Sequence, residues 1–113
     1  MDILNSQKIE RLSNEIGQEN VPVLLDIFLG ELNLYMKTLL DEEGLDKADY
    51  LREISHALKS SAASFGADKL CQFSIDLDSK IKAGIELNPV VDAAQMIKIL
   101  DTTREAYQSL VAK

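Results

Sequence analysis

The chain contains a single histidine, His56, in the segment 46–65. The apolar residues of that segment are Leu51, Ile54, Leu58, Ala62 and Phe65, three or four apart. At about 100° per residue they share one arc of a helix. His56 falls on the opposite side, aimed at solvent. An exposed neutral imidazole, with a reference pKa of about 6.5, is a competent nucleophile near pH 7. Its helical neighbours at three and four residues are Arg52, Glu53, Lys59 and Ser60. Towards the C-terminal end the neighbours are small: Ser60, Ala63 and Ser64. An ordinary exposed helix face carries long charged residues there; small ones form a floor onto which another protein can close. Lys59 adds a positive charge one turn away, suited to a phosphoryl group or a carboxylate.

Other chemistry is poorly supported. A Ser60–His56 dyad would have no carboxylate to orient the ring and no oxyanion hole. One histidine excludes a two-histidine metal site, and one cysteine excludes an internal disulfide. Cys71 borders the apolar stripe of its helix and is expected to be a partly buried structural thiol. There is no glycine-rich phosphate loop, so no autonomous kinase is expected; with the dyad unsupported as well, the chain is expected to be no enzyme.

The stretch from His56 to Leu70 resembles the signature of histidine-containing phosphotransfer (HPt) domains. His56 is followed by Leu58, Lys59 and a small residue, Ser60; Ser61, Ala62, Ala63 and Ser64 continue the small run. Phe65 and Gly66 then supply an apolar residue and a glycine, and Leu70 closes the pattern. The family usually has glycine where this chain has Ser60. Some members carry a glutamine near the imidazole at an offset that falls here on Asp78. The stretch from Asn20 to Gly30 is similar to the quorum-sensing members of the family. The resemblance implies an antiparallel four-helix bundle and a phosphoryl group carried on Nε2 of His56. It implies partners: receiver domains of hybrid sensor histidine kinases, and a response regulator. Lys59 would stabilise the phosphoryl group, and Arg52, Ser60, Ala63, Ser64 and Lys82 would form the docking surface. No cofactor of its own is expected; Mg²⁺ belongs on the partner receiver domain.

The elements that must present His56 are marked by glycine and proline. Gly17, Gly44, Gly66 and Gly84 end or interrupt apolar-periodic stretches, and Asn20-X-Pro22 and Asn88-Pro89 open others. The spacing predicts helices over about 6–17, 20–42, 46–65, 67–84 and 89–111. No window alternates as a strand would. The helix at 20–42 carries two adjoining stripes, Leu24, Phe28, Tyr35, Leu39 and Leu25, Leu29, Leu32, Met36, Leu40, and so wants cover on two sides. Leu70, Phe73, Leu77 and Ile81 line the fourth helix; Val90, Ala93, Ile97, Leu100, Tyr107 and Val111 line the fifth. Short connections make neighbours antiparallel. The expected fold is all-α: an antiparallel up-down four-helix bundle with a short N-terminal helix, bearing Ile9, Leu12 and Ile16, packed across it. Gly30, inside the second helix, is expected to mark close packing. Asp41-Glu42-Glu43 is expected to be a solvated turn.

The 113 residues are enough for one domain, and 46% hydrophobic content is enough for a core. Nineteen acids against twelve Lys and Arg leave a net charge of −7, which disfavours nucleic acid as a partner. No run long enough to span a membrane and no signal peptide is visible, so a soluble cytoplasmic protein is expected; a monomer is expected as well. The alternative to phosphotransfer is a helical adaptor that binds a partner through the His56 face without covalent chemistry.

Overall fold

The computed structural model describes residues 2–41, 44 and 46–111. Among them run five α-helices: α1 (Ser6–Ile16), α2 (Val21–Asp41), α3 (Lys47–Phe65), α4 (Asp68–Lys82) and α5 (Val91–Val111). A single 3-10 turn, Gln18–Asn20, links α1 to α2. The four longer helices form the antiparallel bundle, with α3 closest to α4 and α2 closest to α5. The expected boundaries hold to within about two residues because the caps are local chemistry. Asp46 accepts from the Asp49 amide at 3.1 Å to start α3. Asn88 Oδ1 accepts from the amides of Val90 and Val91, while Asp92 Oδ2 accepts from the Asn88 amide, to start α5.

The core is drawn from Leu25, Phe28, Leu32, Met36 and Leu39 of α2, Leu51, Ile54, Leu58 and Ala62 of α3, and Leu70 and Leu77 of α4. Ala93, Met96, Leu100 and Tyr107 of α5, with Ala67 between α3 and α4, complete it. Phe28 stacks on Phe65 with centroids 4.5 Å apart and meets Tyr107 edge-on at 5.7 Å. The Tyr107 hydroxyl donates to the Phe65 carbonyl, where α3 ends. Burial holds its pKa above the ordinary tyrosine value, so it remains a donor. This cluster ties α2 and α5 to the end of α3 and so fixes which face of α3 looks outward.

α1 is fastened to the α3–α4 corner. The Asn5 amide donates to the Gly66 carbonyl at 2.7 Å, and Asn5 Nδ2 and Lys8 Nζ each lie 2.9 Å from the Asp68 carboxylate. Gly66 has φ of 76°, and a Cβ there would come within 2.9 Å of the Asn5 carbonyl oxygen. Glycine is required for both reasons.

Several expectations need correction. Asn20 does not cap α2: it sits in the 3-10 turn and donates from Nδ2 to the Ile16 carbonyl at 2.6 Å, closing α1 instead. Both stripes of α2 are only partly covered: Leu24 and Tyr35 of the first and Leu29 of the second are half-buried, and Leu40 of the second is exposed. Val90 is 74% exposed because it lies in the cap of α5 rather than on its core stripe; Met96 and Thr103 are buried there instead. Gly30 is exposed, and beyond the backbone of its own helix no atom lies within 4 Å of where its Cβ would stand. Close packing therefore does not explain that glycine. Glu42, Glu43 and the side chains of Asp41 and Val111 lie outside the described residues.

Candidate functional site

His56 stands exposed near the middle of α3, as the periodicity requires. Behind it Leu51, Ile54, Leu58 and Ala62 point into the core. Ser55 is also buried, its hydroxyl donating to the Arg52 carbonyl at 3.2 Å. On α4 the buried positions Ser74 and Asp78 interrupt the apolar stripe, and the expected Phe73 and Ile81 are only half-buried. Of these, Asp78 reaches across to α3.

Lys59 is not a free cation. Its Nζ donates to Asp78 Oδ2 at 2.6 Å, and Lys82 Nζ, one turn further along α4, reaches the same oxygen at 2.9 Å. The side chains of Asp78, Lys59 and Lys82 are 9%, 26% and 68% exposed, so the carboxylate is the buried member. The Lys59 hydrogen bond, then that of Lys82, holds the Asp78 carboxyl down to about 2, well below its ordinary range. The same contact raises the Lys82 ammonium above its ordinary value. Asp78 was legible only as a departure from a glutamine; its pairing with two lysines was not. A signal did exist in the four-residue spacing of Asp78 and Lys82.

The proposed docking residues divide. Arg52, Ser60, Ser64 and Lys82 are exposed. Arg52 leans to Asp49 at 3.6 Å on its own helix, and the Ser64 hydroxyl donates to the Ser60 carbonyl at 3.1 Å. Ala63 is half-buried: with Ser64 it faces Lys8, Arg11, Leu12 and Glu15 of α1 across a shallow cleft. The packing of α1 across the bundle is legible in its apolar stripe; its seat beside this face is not. At the other end, Ala48 and Arg52 line a second cleft with Ile81, Gly84, Ile85 and Leu87. Cys71 is partly buried, its thiol pushed up by burial and its Sγ 3.6 Å from the Lys59 carbonyl. That makes it a poor nucleophile. Among the described residues no three His, Cys, Asp or Glu side chains gather in a way that would hold a metal ion, and no helix is long and apolar enough to cross a membrane.

The chain is similar to known proteins over nearly its whole length. The Hpt domain family model matches residues 23–110, which include α3 and α4 entire. The chain is 56% identical to the phosphorelay protein LuxU of Vibrio harveyi, over 96% of this chain and 95% of that one. It is 50% identical to the phosphorelay protein LuxU of Vibrio cholerae, over 96% of each. The crystal structure of histidine-containing phosphotransfer protein B from Pseudomonas aeruginosa superposes with a TM-score of 0.76. It covers 95% of this chain and 92% of that one at 21% identity, which establishes a shared fold.

Proposed function

The chain belongs to the Hpt domain family, and from that premise we propose that it is a phosphorelay intermediate that carries its phosphoryl group on His56. The observation that carries the assignment is the exposure of the sole histidine on α3, inside the matched segment. The relatives named as phosphorelay proteins cover nearly the whole chain and support a place in a bacterial quorum-sensing relay.

The donor is the aspartyl phosphate of a hybrid kinase's receiver domain. The lone pair of Nε2 attacks phosphorus; the N–P bond forms as the P–O bond to the aspartate breaks. The aspartate leaves as a carboxylate, and the imidazole, cationic for the moment, loses its Nδ1 proton to water. The reverse displacement, by the aspartate of a response regulator, unloads the group. Such transfer needs in-line positioning and charge neutralisation. Lys59 supplies a cation at the site, while Mg²⁺ and most of the neutralising machinery belong to the receiver's acidic pocket. The chain acts as a cytoplasmic phosphocarrier, without kinase or hydrolase activity of its own.

The test is to incubate the purified protein with a phosphorylated receiver domain and follow the label. The incorporated phosphate should be acid-labile and base-stable. His56→Gln should abolish it while changing stability by no more than about 0.5 kcal/mol, because the side chain is exposed. Label retained on the variant would overturn the assignment. No labelling of the wild type by any receiver would favour the non-covalent adaptor.

A further inference from the structure

On the reading that His56 is the phosphorylated residue, we infer that Asp78 is a positioning residue for Lys59, and that Lys82 is the reserve counter-ion that takes over Asp78 when Lys59 turns to the phosphoryl group. Both ammonium groups lie on one carboxylate oxygen, Asp78 Oδ2, at 2.6 and 2.9 Å. One carboxylate needs only one of them, so the cluster carries a surplus positive charge. The two lysines are not equivalent. Lys59 projects from α3 one turn beyond His56 and is largely covered; Lys82 projects from α4 and is largely exposed.

A phosphoryl group on His56 brings nearly two negative charges to the same face. Lys59 is then drawn from Asp78 towards it. Were Lys59 the sole partner of Asp78, that turn would leave a carboxylate nine-tenths buried with no counter-charge, which is strongly unfavourable. Lys82 removes the obstacle, since it already holds the same oxygen. Asp78 thus keeps Lys59 at the site while the histidine is empty. Lys82 lets Lys59 go when the histidine is loaded. The neutralising charge reaches the phosphoryl group without a buried anion being stranded.

The experiment uses phosphoramidate, a small donor that needs no protein interface, and follows phosphohistidine formation and lifetime by ³¹P NMR. The wild type should label at His56, and His56→Gln should not; that arm tests the underlying reading by itself. Lys82→Met should slow labelling and shorten the lifetime by roughly three- to tenfold, the worth of one partly exposed charge contact. Lys82→Arg should restore both. In an Asp78→Asn background Lys82→Met should have no further effect, because no buried charge remains to be neutralised. If wild type and Lys82→Met behave alike while His56 is labelled, the inference fails and the reading stands. If Lys82→Met is equally costly with Asn at position 78, Lys82 acts on the phosphoryl group directly and the inference is overturned. A second measurement needs no change at Asp78. On phosphorylation of the wild type, the NMR signal of the Lys59 ammonium should shift more than that of Lys82. The opposite pattern would overturn the inference.

Discussion

At the scale of single residues, the surface around His56 separates chemistry from docking. Ser60 is exposed one turn from the histidine, whereas Ala63 is half-buried against α1. A bulky residue at position 63 would therefore disturb α1 as well as a partner, and Ser60 is the cleaner probe. Ser60→Arg should leave the fold and phosphoramidate labelling of His56 in place. It should nonetheless slow receiver-dependent labelling strongly, since misplacement by about 1 Å can cost on the order of 100-fold in rate. Parallel time courses with the two donors decide the matter. Equal loss from both would mean that position 60 acts on the histidine itself; no loss from either would place the interface elsewhere. The outward aim of His56 was legible in sequence because helical phase is a local property. The Lys59–Asp78 contact was not, because it joins residues 19 apart on different helices.

At the scale of elements, two glycines in helical surroundings have opposite consequences. Gly66 ends α3 with positive φ and lies against the Asn5 backbone. Gly66→Ala should cost more than about 1 kcal/mol, from left-handed strain and from the clash with that carbonyl. It should also loosen α1, seen as faster hydrogen exchange over residues 5–16. Gly30 lies mid-helix in α2 with open space around it. Gly30→Ala should stabilise the fold by about 0.4–1 kcal/mol, through helix propensity and a less flexible unfolded chain. Urea unfolding of the two variants beside the wild type checks both signs. A destabilised Gly30→Ala protein would show that α2 is covered at that point in solution.

At the scale of the whole molecule, acid should undo the fastenings between helices. The Asp68 carboxyl is held below its ordinary 3.8 by hydrogen bonds from Lys8 and then Asn5, and that of Asp78 by Lys59 and then Lys82. For a carboxylate whose folded pKa is depressed, the linked stability is fully present above the unfolded value. It is lost as pH falls through the folded one. Thermal stability should therefore hold from neutral pH to about 4 and then decline towards about 2 as Asp78 protonates. Asp78→Asn should flatten that decline. A Tm that falls equally steeply in wild type and variant between pH 4 and pH 2 would show that Asp78 contributes nothing to it.

Whatever depends on neighbours along the chain is legible in the residues alone. Apolar residues at three- and four-residue spacing, the caps at Asp46 and Asn88 and the stop at Gly66 define the helices. The phase of α3 then turns His56 outward, with Lys59 and Ser60 one turn away. Which faces meet is set by packing between the helices. It set Asp78 of α4 beneath Lys59, drew Lys82 to the same oxygen and seated α1 beside Ala63. It also buried Met96 and Thr103 in place of Val90, and left Gly30 bare. The physical reason is that periodicity gives each helix an apolar arc but not its rotation against its neighbours. A few degrees of rotation at the α3–α4 seam decide whether an aspartate meets a histidine, a lysine or water.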